Sequence, residues 1–132
     1  MAEKYDVEWN TKVNKWSSKN KPQVGDTLVF EYEPLFDSVM QVNKEDYESC
    51  QPLSPPIATY CTGKDSVNLC EDGEYYFMSG NPANCKDGEK LKIKVKDSKD
   101  REAEGGEDGA SADLTSNGFT IIMLGLAFIF LL

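Results

Sequence analysis

The chain has 132 residues, no histidine and a formal charge of −9 at pH 7. That length and 39% hydrophobic residues suit one domain with a modest core plus tails, and argue against a second domain. The charge, −5 over residues 1–98 and −4 beyond them, argues against nucleic acid as a partner, because phosphate binding needs a basic surface that releases counterions.

In chain order, the start MAEKYD is polar and lacks the apolar stretch of a secretory leader. Residues 11–18 read as an irregular turn. Gly25 and Asp26 form a turn before residues 27–32 (TLVFEY), whose apolar run suits a central strand. Residues 38–42 are a second strand candidate. Asn43 then precedes Lys44-Glu45-Asp46-Tyr47, a side-chain cap followed by acids that suits the first turn of a short helix. Pro52, Pro55 and Pro56 read as an inter-strand loop.

Residues 57–61, 67–70 and 74–79 are further strand candidates. In the last of these, Tyr75, Tyr76 and Phe77 could stack on a sugar ring, but alternation along a strand assigns them to core packing first. Residues 90–96 alternate cleanly: Leu91, Ile93 and Val95 share one face, and four lysines share the other. Short apolar runs separated by turn formers predict an all-β sandwich with short helical turns over residues 1–96.

Residues 97–117 contain no aromatic and almost nothing apolar, and read as a solvated acidic stalk. Residues 118–132 (GFTIIMLGLAFIFLL) are fifteen uncharged positions, which as a helix would span about 22 Å of a ~30 Å hydrocarbon layer. No basic residue follows them. Small residues and a brief polar spacer precede them, the arrangement of a signal for glycosylphosphatidylinositol attachment at Gly109, Ala110 or Ser111. The competing expectation is a transmembrane tail. Either one makes the membrane a partner.

Cys50, Cys61, Cys70 and Cys85 lack metal-type spacing, so the even count favours two disulfides among three connectivities. Disulfides persist in oxidising compartments, which places the chain in the secretory pathway. With no leader at the start, the expectation is that the N-terminal signal peptide is missing from this sequence. No N-glycosylation sequon of the N-x-S/T type is present.

Four stretches carry a resemblance: Trp16, VGDTLVFEY from Val24, DSVMQVNKEDYESC from Asp37 and YYFMSGNPANCKDGEKLKIKV from Tyr75. Together they resemble the plant phytocyanins, and within them the early nodulin-like proteins, over about residues 5–96. The resemblance implies a cupredoxin-like Greek-key sandwich exported to the plant cell surface, on the extracellular face of the plasma membrane. It also implies a disulfide between Cys50 and Cys85. Cys61 and Cys70 are additional to the family pattern; flanking the turn Thr62-Gly63-Lys64-Asp65 between two strand candidates, they are expected to pair with each other.

In copper-binding members the ligands are two histidines, one cysteine and an axial methionine or glutamine. The matching positions here are Phe36, Asn84, Ser79 and Glu89. These cannot reproduce the imidazole and thiolate set of an electron-transfer copper site, so the expectation is no cofactor, with a weak preference for a hard cation at most. Met78 cannot substitute as the sulfur ligand, because strand alternation turns it away from Ser79. Phe36 is expected to fill the hole left by the metal, with Ser79 and Asn84 hydrogen-bonded across it.

The favoured function is a copper-free surface protein with a binding or structural role, its partner a cell-wall carbohydrate or a surface protein. The alternative is a blue-copper electron carrier, which fold analogy alone would suggest. Catalysis has the weakest case, since there is no histidine and no nucleophile beside a base.

Overall fold

The computed structural model describes residues 2–97. The expected stalk beyond Asp97, the apolar tail and the attachment candidates Gly109, Ala110 and Ser111 lie outside the described residues.

The strands are β1 (Lys4–Glu8), β2 (Thr27–Glu31), β3 (Val39–Val42), β4 (Ala58–Tyr60), β5 (Lys64–Asn68), β6 (Gly73–Ser79) and β7 (Lys90–Val95). Helix α1 spans Lys44–Ser49, α2 spans Pro82–Lys86, and a 3-10 segment covers Val13–Ser18. One sheet has the order β1-β2-β5 and the other β4-β3-β6-β7. Among the named strands of the described residues, β1 and β2 pair in parallel and the other ladders are antiparallel.

Side-chain alternation explains how the sheets close on each other. On β7, Leu91, Ile93 and Val95 are buried while Lys92 and Lys94 are exposed. From the opposite sheet come Val7, Leu28, Phe30 and Val67. Trp9 meets Phe30 edge-on at 5.2 Å, and Phe30 meets Phe77 at 5.0 Å, so aromatic rings fill the middle of the sandwich. β2, between β1 and β5, buries Leu28, Val29 and Phe30 in succession, with Leu28 and Phe30 in the main core.

β6 is buried on both faces. Phe77 points into the sandwich, whereas Tyr76 and Met78 join Val42, Cys50 and Cys85 in a second cluster with Tyr47 of α1. Tyr75 is half-buried against the main core. The aromatic trio is therefore committed to packing.

Helix α1 starts where Asn43 Oδ1 accepts from Asp46 N–H at 2.8 Å, and it ends at Cys50 with a left-handed φ of 55°. Cys50 is the one non-glycine residue with positive φ among the described residues, and its disulfide to Cys85 ties α1 to α2.

The expected Cys61–Cys70 bridge is corrected by the structure: both residues are exposed free thiols. β4 and β5 do not form a hairpin but belong to different sheets, and β5 begins at Lys64 rather than at residue 67. Cys61 precedes β5 and Cys70 follows it. Five strand residues rising ~3.3 Å each hold the two thiols on the order of 17 Å apart, far beyond disulfide reach.

Candidate functional site

Three turns meet at one end of the sandwich: residues 32–38 between β2 and β3, residues 80–81 between β6 and α2, and residues 87–89 between α2 and β7. Ser79 ends β6 and is paired with Val39, which places it beside the turn that carries Asp37. Backbone bonds fasten the three together. Ser79 N–H donates to Glu89 O at 3.0 Å, Gly80 N–H to Ser38 O at 3.3 Å, and Glu89 N–H to Asn84 O at 2.9 Å. Trp9 Nε1–H also donates to Ser38 O, at 3.1 Å, linking this end to the core. A Cβ at Gly80 would meet Ser38 Oγ, so a larger residue there would require the Ser38 hydroxyl to rotate away.

Asn81 shapes the turn. Its Oδ1 accepts from Ala83 N–H at 2.9 Å and Asn84 N–H at 3.3 Å, and Pro82 follows at the first helical position, where its missing N–H costs nothing. This short helix sets Cys85 beside Cys50 and leads through Gly88 to Glu89.

The side chains at the centre form an oxygen network. Ser79 Oγ donates to Asp37 Oδ1 at 2.7 Å, Ser38 N–H donates to the same oxygen at 2.8 Å, and Asn81 N–H donates to Ser79 Oγ at 3.0 Å. Glu89, only 2% exposed, faces Asp37. Burial, then a hydrogen bond to Asp37 and that residue's charge, push the Glu89 carboxyl up to about 9. No described group donates to Glu89 Oε2. A Glu89 carboxyl that keeps its proton at neutral pH and donates it to Asp37 satisfies this arrangement.

Ser79 and Glu89 are thus brought together and buried, and Asn84 contributes its backbone carbonyl. The expected Ser79–Asn84 bond is not formed; the Ser79 hydroxyl turns to Asp37, the stronger acceptor. Phe36 does not fill a cavity. It is 76% exposed next to Leu35 at 83%, because Asp37 takes the inward position of that turn. Asp37 is the residue that sequence reasoning missed; its signal was an acid directly after the first ligand slot.

Copper does not fit these residues. An electron-transfer site needs imidazole nitrogen and thiolate sulfur, and the converging groups are one hydroxyl and two carboxyls. Met78 points into the second cluster, on the other face of β6. No cluster of three or more potential metal-binding side chains occurs among the described residues. The exposed rim of the site is lined by Pro34, Leu35, Phe36, Cys61 and Pro82.

The family profile described as a plastocyanin-like domain matches residues 5–89. Early nodulin-like protein 12 of Arabidopsis thaliana is 40% identical over 107 residues, covering 81% of this chain and 55% of that protein. Early nodulin-like protein 9 of the same plant is 45% identical over 82 residues, covering 62% and 40%. The chain therefore spans about half the length of these relatives. Stellacyanin of Toxicodendron vernicifluum is 38% identical, with 68% of this chain and 78% of that protein aligned. Among solved structures, cucumber basic protein, a blue copper protein, superposes with a TM-score of 0.65 at 26% identity, over 70% of this chain and 98% of its own. Spinach plantacyanin gives 0.63 at 32% identity over the same shares. These likenesses identify the two-sheet sandwich as cupredoxin-like.

Proposed function

The chain belongs to the phytocyanin family, and we propose that it is a copper-free, early nodulin-like member that acts as a binding or structural module at the plant cell surface. One observation supports the proposal: Ser79 and Glu89, which the resemblance matches to two copper-ligand positions, join Asp37 in a network that offers no soft donor. In this reading the apolar segment 118–132 directs a lipid anchor or serves as a membrane tail, and the acidic stretch before it spaces the domain from the outer face of the plasma membrane. No catalytic role is assigned, since the chain holds no histidine and no activated nucleophile.

Electron transfer is the second reading, supported by the likeness to a blue copper protein. It asks the fold to do what the donor set cannot. The test is expression in plant cells, followed by treatment of membranes with a phosphatidylinositol-specific phospholipase and metal analysis of the released protein. The expected result is release without stoichiometric copper. Retention on the membrane would overturn the lipid anchor, and one copper per chain would overturn the copper-free function.

A further inference from the structure

The charges of the domain are segregated. Residues 9–25 and 90–96 contain eight of the twelve lysines of residues 1–98 and none of their seventeen acids. The fold lays these two acid-free segments side by side. β7 is the edge strand of its sheet, and residues 11–24 run along its free edge in the same direction. At one end the Thr11 carbonyl comes so near Gly88 that a Cβ there would lie 2.6 Å from it; at the other, Val24 N–H donates to Lys96 O at 3.2 Å.

The result is a basic strip about as long as a six-residue strand, ~20 Å. Lys12, Lys15 and Lys19 are exposed on it, and Lys92 and Lys94 are exposed beside it on a sheet face where Glu74 of β6 lies opposite Lys94. Lys90 is committed elsewhere, to the Tyr47 carbonyl and ring. Half-buried Trp16 lies between Lys15 and Lys19 in sequence and is braced edge-on by Tyr5 at 5.5 Å.

We propose that this strip binds a linear carboxylated polysaccharide. Its cations are all lysines, point charges without the planar fork that grips a single carboxylate or phosphate in a fixed geometry, so the strip suits a repeating, loosely held anion. A linear polymer matches its extended shape, and a partly exposed indole suits a sugar ring beside a charge. A lipid surface fits less well, because the large exposed apolar residues, Leu35, Phe36, Leu53 and Ile57, lie outside both segments and leave the strip without an apolar anchor. The remaining surface is acidic and repels a polyanion, which confines binding to the strip. The inference rests on the cell-surface reading for where such a polymer is met, but not on the absence of copper.

The test uses the full 132-residue chain and polygalacturonate, with its fully methyl-esterified form and phosphatidylglycerol vesicles as comparison probes, each titrated at two salt concentrations. The expected result is salt-sensitive binding to polygalacturonate alone. The triple variant Lys12→Glu/Lys15→Glu/Lys19→Glu is expected to lose at least tenfold in affinity. Lys4→Glu/Lys44→Glu/Lys64→Glu, with the same change in net charge on other exposed lysines, is expected to lose less than threefold. Equal losses in the two triple variants, equal binding to the esterified polymer, tighter binding to the vesicles, or no binding by the unsubstituted chain would each overturn the proposal. Failure here leaves the metal content of the protein untouched, so it is distinguishable from failure of the copper-free reading.

Discussion

Ser79 Oγ donates to Asp37 Oδ1 across 2.7 Å, so that the last residue of β6 holds the turn before β3 by a single charge-assisted bond. Ser79 is 2% exposed, and its own oxygen accepts from Asn81 N–H. Ser79→Ala therefore removes one bond to half-buried Asp37, which keeps its bond from Ser38 N–H, and returns the N–H of exposed Asn81 to solvent. The expected cost is about 1–3 kcal/mol in urea unfolding, with an unchanged m-value. A cost below the error of the measurement would show that the bond is not a fastening point.

Glu89 makes stability depend on pH. Its folded-state proton affinity is raised to about 9 from an ordinary value near 4.5, so the folded chain keeps a proton that the unfolded chain releases. The contribution is complete below about pH 4.5 and is lost as pH rises toward about 9, with a slope of at most about 1.4 kcal/mol per pH unit. Glu89→Gln keeps an N–H donor for Asp37 and removes the titration. Thermal melts from pH 5 to 9 are expected to decline for the unsubstituted protein and to be flatter for the variant; parallel curves would contradict the raised proton affinity of Glu89.

The disulfide predicts a larger effect. Cys50→Ala/Cys85→Ala opens a loop of sequence separation 35, which in the chain-entropy account costs about 4 kcal/mol. It also releases the left-handed end of α1 from α2. The midpoint in urea is expected to fall accordingly, and the same fall is expected when reductant is added to the unsubstituted protein.

Strong alternation and strong turn chemistry were legible in the sequence. Residues 90–96 read correctly because three apolar side chains alternate with lysines, and α1 read correctly because Asn43 caps a run of acids. β1 was not recognised, since Lys4–Glu8 alternates only Tyr5 and Val7 among charges and depends on β2 for its pairing. α2 was missed although Asn81-Pro82 is a helix-start signal, because five residues give no periodicity. At the site, residue types showed what was missing from the ligand slots. They did not show that Asp37 would turn inward and Phe36 outward, a choice made by the buried partners Ser79 and Glu89.

The free thiols give a separate check. Cys61 and Cys70 are exposed and unbonded, so the native, unreduced protein is expected to react with two equivalents of a thiol reagent. Cys61→Ser and Cys70→Ser should each remove one equivalent and change the melting midpoint by little. Zero equivalents, recovered only after reduction, would restore the bridge that the sheet order argues against.

Titration of the purified, disulfide-intact chain with Cu(II), followed by visible absorption, tests the copper-free account most directly. The quadruple variant Phe36→His/Ser79→Cys/Asn84→His/Glu89→Gln serves as its positive control. The account predicts no stoichiometric uptake and no thiolate-to-copper band in the unsubstituted protein, with such a band in the variant that regains imidazole and thiolate donors. An intense band in the unsubstituted protein at one copper per chain, with a reversible one-electron couple, would contradict it.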